Sequence, residues 1–416
     1  MTPYDGLLSR MGAQLAGSAI RQMGVLAAGR PDMISFAPGF PDPELFPWEP
    51  IAGIADDLLR ARGVDTLQYG PTRGHGPLLE TLVTRLRGRE IACRTDELLL
   101  TTGSQQAVDL VTRLLVDPGD VVLVELPTFT GAIAAFRSAQ AHLVGIRQDP
   151  DGIDLVHLDA AVRAERDAGR RVKFLYVVPN FQNPTGGLMS GHKRRALLDW
   201  SRREQVVILE DDPYGDLWFA DVTRPEETRP IKAGDADGRV IYVQSTSKTL
   251  APTFRTAWVV ASAELIARLD IAKQSADLCS SALDQRIVHE AILRGVLDQQ
   301  LPRLRDAYAR KRTTMSAALT AHAGDLVRWA PPRGGFFLWV TLPDGLDAQH
   351  LLRAAIEAQV IYVAGAPFHV DGAGANALRL AFSAASAPRI EEGIARLAGV
   401  IRTAAGSAPP VPPATC

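Results

Sequence analysis

Lys248 stands among small hydroxyl residues in STSKTLAPTFR (245–255), directly after the apolar run VIYVQ (240–244). The C-terminal end of a strand is where open α/β sheets bind ligands, and an amine held there can serve as nucleophile and base. Arg255, seven positions on, offers a planar fork that suits a phosphate. A solvated loop would use the same residue types. A second cluster, ILEDDPYGDLWF (208–219), ends an apolar run in Asp211, with Asp212 beside it and Tyr214 three residues on. A carboxylate and a phenol so placed suit a ligand with a ring nitrogen and an oxygen to hold, although an acidic turn reads the same.

Three further stretches add groups without deciding the chemistry. In VVPNFQNPTGG (177–187), Asn183 precedes a proline, so a turn can aim its amide at a ligand. TTGSQQAVDL (101–110) ends a strand at Gly103 and opens a helix at Ser104 and Gln105, where free backbone N–H groups attract anions. PTFTGA (127–132) offers Phe129, either a ring-stacking aromatic or ordinary core. GPTRGHG (70–76) lacks the Walker spacing and a preceding strand, so it reads as a glycine-rich turn.

The elements that must position these residues show in the pattern of β-branched runs. ELLLTT (97–102), VVLVE (121–125), VKFLYVV (172–178), VVILE (206–210), VIYVQ (240–244) and TAWVVA (256–261) are apolar nearly throughout, as strands covered on both faces are. Helical spacing fills the intervals, as in Ala107, Val108, Leu110, Val111, Leu114 and Leu115. The alternation predicts a three-layer α/β domain with a mostly parallel sheet. Beyond about residue 280 a long amphipathic stretch, Gln285 to Leu319, leads into FFLWVTL, VIYV and ALRLAF, read as three strands of a smaller α+β domain. The expected division is 1–45 as a segment without sheet pattern packing at the active site, 46–300 as the large domain, 301–405 as the small domain, and 406–416 as a disordered tail.

Bulk properties exclude several classes. A chain of 416 residues with 46% hydrophobic and 22% charged residues is ordinary globular material. A net charge of −2 provides no field that draws nucleic acid or an anionic membrane. No stretch has the ~20 apolar residues of a bilayer span, and the N-terminus has no signal-peptide run. Cys93, Cys279 and Cys416 show no metal-ligand spacing and read as reduced thiols, which points to the cytoplasm. No metal is expected.

Taken in order, ISFAPGFPDPELFP, LQYGPTRG, TTGSQQAVDLV, NFQNPTGG, EDDPY and STSKTLAP resemble the fold-type I aminotransferases of classes I and II that use pyridoxal 5'-phosphate. The resemblance spans about Ile34 to Ile401 and is closest to the 2-aminoadipate and kynurenine aminotransferase branch. It implies that Lys248 carries the cofactor and moves a proton, that Asp211 pairs with the pyridine nitrogen, and that Tyr214 and Asn183 hold the phenolic oxygen. By the same resemblance Phe129 stacks on the ring. Gly103, Ser104, Gln105, Ser245, Ser247 and Arg255 hold the phosphate, and Tyr69 reaches the phosphate of a neighbouring subunit in a homodimer. Arg379, in ALRLAF, matches the arginine that clamps a substrate α-carboxylate, with Gly39 beside it; a surface ion pair is its bland alternative. Arg21, in GSAIRQMG, resembles an arginine that reaches the distal carboxylate of acidic substrates, or it is a solvated helix residue.

The chain departs from the family pattern at Pro38, Phe40, Phe129, Thr253 and Ala364, several of them near the expected substrate pocket. Phe40 could favour aromatic substrates. The implied reaction moves an α-amino group between an L-amino acid and a 2-oxo acid, with 2-oxoglutarate or glutamate as one partner. Two alternatives stand beside it: another pyridoxal-phosphate reaction on the same scaffold (decarboxylation, oxidation, elimination or cyclisation), and the aminotransferase-like effector domain of a transcription regulator. The second is disfavoured, because the family pattern begins by residue 34 and leaves no room for a preceding DNA-binding domain.

Overall fold

In the computed structural model, residues 4, 6–14, 17, 19–30, 32–223 and 226–407 are described. The apolar runs become a seven-stranded sheet: β1 (Leu98–Thr102), β2 (Val121–Glu125), β3 (His142–Ile146), β4 (Val172–Val177), β5 (Val207–Asp211), β6 (Val240–Ser245) and β7 (Thr256–Val260). Their spatial order is β1-β7-β6-β5-β4-β2-β3. β7 runs antiparallel to both of its neighbours, and the other pairings are parallel. Strand alternation then sorts the side chains. Leu99, Val124, Tyr176, Leu209 and Val243 face helix α1 (Ser104–Leu115) and Phe136 of helix α2 (Thr130–Ser138). Leu123, Leu175, Val177, Ile208 and Val240 face Leu158, Val162, Leu197 and Trp200 on the other side. Three layers result, with α1 covering the face that matters for the site.

The smaller sheet has the order β8 (Arg328–Trp329), β9 (Phe337–Thr341), β11 (Ala377–Ala381) and β10 (Val363–Ala364). Several boundaries differ from the expectation. The first 45 residues do contribute a strand: Ile34–Ser35 pairs in parallel with Val360–Ile361, so VIYV is split between two sheets. The stretch from Gln285 to Leu319 is two helices, Ala282–Leu293 and α3 (Val296–Ala323), broken at Gly295, whose φ of 72° lies in the left-handed region. The expected boundary at residue 300 falls inside α3, which packs along α4 (Ala387–Ser407). Gly406 and Ser407, expected in the tail, close that last helix; 408–416 lie outside the described residues. β3 went unread because its sequence, HLVGI, is a half-exposed edge with a glycine and a histidine in it.

Candidate active site

Three carboxylates in a row, Glu210, Asp211 and Asp212, end β5, and alternation sends them to different sides. Asp212 receives hydrogen bonds from Arg89 (2.7 Å), Asn180 (2.9 Å) and Tyr242 (3.0 Å). Glu210 accepts the backbone N–H groups of Ile231 and Lys232, each at 2.8 Å. Both are saturated by structure. Asp211 points to the α1 side, where its Oδ2 accepts the Tyr176 hydroxyl at 2.8 Å. Its Oδ1 is buried and has no partner among the described residues. Burial pushes the Asp211 carboxyl up to about 7, against the pull of the Tyr176 hydrogen bond.

Lys248 follows the end of β6, and its Nζ donates to the Gly39 carbonyl at 2.9 Å, with the Phe336 ring 5.8 Å away. Burial, then the charges of Arg379 and Arg255, bring the ammonium down to about 8, opposed by Asp211. The neutral amine, the form a nucleophile requires, is therefore a far larger fraction near neutral pH than in an ordinary lysine, whose value is ~10.4.

The antiparallel strand β7 builds the anion end. Its register sets Thr256 opposite Thr102 and Ala257 opposite Ser245, so the ends of β1 and β6 flank its start. Arg255 enters β7 in the left-handed region (φ 45°) and sits against Gly103. Gly103 has a φ of 82°, and a Cβ there would overlap the Arg255 guanidinium, so glycine is required twice over. Arg255 reaches Ser247 Oγ at 3.4 Å and the Thr102 carbonyl at 3.5 Å, and Ser245 Oγ donates to Ser247 Oγ at 2.8 Å. With the N-terminus of α1 starting at Ser104, the cluster is an open cradle for a phosphate. Gln105 donates to the Gly131 carbonyl at 2.8 Å and ties the Phe129 turn to the same helix start.

Arg379 defines the other end. It is 1% exposed on β11, donates to Asn183 Oδ1 at 2.7 Å and to the Ala37 carbonyl, and leaves its buried Nε unpartnered. Its guanidinium lies 4.3 Å from the Phe337 centroid and 5.2 Å from that of Phe368. Burial pulls it down to about 10, still charged at any working pH. The surface ion pair considered from the sequence does not occur. Tyr214 is buried edge-on to Phe336 and Phe337, and burial pushes its phenol up. Gly39 has to be glycine, since a Cβ would enter the Phe337 ring.

The structure thus gathers Lys248, Asp211, Tyr214, Asn183, Arg379 and Gly39 between the two sheets, with Gly103, Ser104, Gln105, Phe129, Ser245, Ser247 and Arg255 at the edge of the large one. Phe40 is exposed beside Gly39, its carbonyl held by Ser383 Oγ at 2.7 Å. Tyr69 is 79% exposed and Arg21 lies exposed on helix Ala19–Ala27, so neither joins this cluster within one chain. Ser18, part of the Arg21 context, lies outside the described residues. Tyr176, Phe336 and Phe337 went unnoticed in the sequence. Period-two counting along VKFLYVV puts Tyr176 on the face of Phe174, but only the register with β5 puts it on the face of Asp211.

A buried carboxylate oxygen lacking a donor, a glycine-lined cradle beside an arginine, and an accessible amine between them fit the ring nitrogen, phosphate and aldehyde of pyridoxal 5'-phosphate. The match to the family described as aminotransferase class I and II covers residues 42–397. The chain belongs to the class I and II aminotransferases. It is 38% identical over 400 residues to aromatic-amino-acid aminotransferase 1 of Thermococcus litoralis, covering 96% of this chain and 95% of the relative. It is 39% identical over 389 residues to the 2-aminoadipate transaminase of Thermus thermophilus, covering 94% and 95%. A solved alpha-aminoadipate aminotransferase from Thermus thermophilus, complexed with N-(5'-phosphopyridoxyl)-L-leucine, superposes with a TM-score of 0.89 at 36% identity, over 98% of this chain and all of that one. This aminotransferase has the fold-type I architecture, and its cofactor is pyridoxal phosphate.

Proposed function

We propose that this aminotransferase passes the α-amino group between an L-amino acid and a 2-oxo acid, with glutamate and 2-oxoglutarate as one pair. The observation that carries the reading is a single buried cluster in which Lys248 lies within the fields of Asp211, Arg255 and Arg379. Bound pyridoxal phosphate supplies a sink for the electrons of a substrate Cα bond. Lys248 would hold the cofactor and would be the base that moves the Cα proton. Asp211, whose Oδ1 is free of other donors among the described residues, would accept from the ring nitrogen and keep it protonated. Arg379 takes the α-carboxylate as a planar fork, braced by Asn183 and by the Phe337 and Phe368 rings. Tyr214 and the Asn183 amide would serve the phenolic oxygen, Phe129 would stack on the ring, and the cradle from Gly103 to Gln105 with Ser245, Ser247 and Arg255 would take the phosphate.

Two features belong to the assembly and to selectivity. Tyr69, exposed in one chain, serves the phosphate of a second copy in a homodimer. Arg21 serves a distal substrate carboxylate: its helix packs against β10, which pairs with the strand of Arg379. Phe40, exposed at the mouth, admits an aromatic second substrate. The enzyme acts in the cytoplasm; among the described residues no helix is long and apolar enough to cross a membrane. A screen of amino donors with 2-oxoglutarate, with mass spectrometry of both products, tests the reading. Glutamate should form in step with the donor's 2-oxo acid. Donor consumption with release of carbon dioxide or peroxide, and no glutamate, would instead mean another chemistry on this scaffold.

A further inference from the structure

Tyr176 is buried in the strand next to Asp211, and nothing in the reading above gives it a task. Parallel register sets Tyr176 opposite Leu209, so Asp211 is its diagonal neighbour on the same face. Its ring is fixed edge-on by Phe136, 5.5 Å away at 71°, and its hydroxyl meets Asp211 Oδ2 at 2.8 Å. Of the two carboxylate oxygens, this leaves Oδ1 as the one with no donor. We infer that Tyr176 is a positioning residue, which orients Asp211 and holds it in the ionised form that keeps the cofactor's ring nitrogen protonated. The inference rests on the role proposed for Asp211.

The physical reason is the choice facing a buried carboxylate beside a pyridine nitrogen. One proton lies between them, and it can sit on either partner. Away from water the neutral arrangement, carboxylic acid with uncharged pyridine, is favoured over the ion pair. A donor fixed on the second carboxylate oxygen stabilises the anion and moves the proton to nitrogen. Tyr176 can be that donor at any working pH, because burial first, and then the Asp211 charge, keep its phenol far from ionising. The other charged groups bearing on Asp211 work against or beside it: Asp212 disfavours the anion and Lys248 favours it. Arg89, the strong cation nearby, is engaged by Asp212 and Asp216 on the far face of the sheet. Among the described residues, the Tyr176 hydroxyl is thus the one side-chain hydrogen bond to Asp211.

The experiment uses holoenzyme reconstituted with ring-15N-labelled pyridoxal phosphate, comparing the parent with Tyr176→Phe and Asp211→Asn. The nitrogen chemical shift reports where the proton sits. Tyr176→Phe should move it toward the neutral-pyridine value, lower kcat at least tenfold with KM for the amino donor within twofold, and leave the melting temperature of the ligand-free protein close to the parent's. A parental nitrogen shift in Tyr176→Phe, with a moved shift in Asp211→Asn, overturns the inference alone. A parental shift in both overturns the role of Asp211 and this inference with it. Should Tyr176→Phe not fold, site-specific replacement of Tyr176 by 3-fluorotyrosine keeps the packing and strengthens the donor. The signal should then move toward the protonated value or stay at it, and movement the other way overturns the inference.

Discussion

Two side chains carry the residue-scale consequences, Lys248 and Arg379. Only the neutral Lys248 amine can attack the cofactor's aldehyde, and its surroundings bring the ammonium down to about 8. Attachment of pyridoxal phosphate to the ligand-free enzyme should therefore accelerate as pH rises through about 8 and level off above it. Stopped-flow absorbance measures this, and a profile still rising steeply near the usual lysine value of ~10.4 would contradict the environment described. Borohydride reduction followed by peptide mapping should find the cofactor on Lys248, and Lys248→Ala should abolish turnover. Arg379 is charged and buried, and a buried charge pair that loses one member typically costs ~2–5 kcal/mol. Arg379→Ala should lower kcat/KM more than tenfold for every amino acid tried. A smaller loss would mean that the α-carboxylate binds elsewhere.

At the scale of elements, the phosphate cradle depends on one strand end meeting one turn. Gly103→Ala adds a Cβ against the Arg255 guanidinium in a backbone conformation (φ 82°) that costs an L-residue ~1–2 kcal/mol. Equilibrium dialysis should show cofactor binding weakened at least tenfold, while circular dichroism still shows the folded sheet. Unchanged affinity would mean that Arg255 does not bind the phosphate. The glycine, the arginine and the strands that bring them together were legible from sequence, since strands buried on both faces write themselves as apolar runs. The edge strand β3 and the two-residue strand Ile34–Ser35 were not: one is half exposed, and the other is too short to show a period. Nor did three adjacent acids reveal which of them faces the ligand. Alternation settles that only once the strand's end is known, and β5 runs past its apolar letters, which stop at Leu209, to Asp211.

For the whole molecule, the sharing of sites can be tested by mixing two damaged forms. If Tyr69 acts across a homodimer, a hybrid of Lys248→Ala and Tyr69→Phe subunits contains one site with both parental groups. Cofactor titration of the mixture should then reveal a tight class of sites absent from the Tyr69→Phe protein alone; if Tyr69 acts within its own chain, no such class appears. Selectivity belongs to this scale too, because the role proposed for Arg21 depends on the placement of its helix. Arg21→Ala should impair glutamate and 2-oxoglutarate far more than neutral or aromatic substrates, since only a distal carboxylate offers the guanidinium a two-pronged bond. Equal losses across substrates would remove Arg21 from that role.

The pairing of Ile34–Ser35 with Val360–Ile361 also bears on how the protein is made. The Arg379 bond to the Ala37 carbonyl joins residues 342 apart, and the Ser383 bond to the Phe40 carbonyl joins residues 343 apart. During synthesis the segment holding Gly39 and Phe40 leaves the ribosome long before its partners do. The seven strands of the large sheet, complete by Val260, can form well before that closure. A nascent chain paused there would own the residues proposed to hold the cofactor but not yet Arg379, the one proposed to seat a substrate's carboxylate.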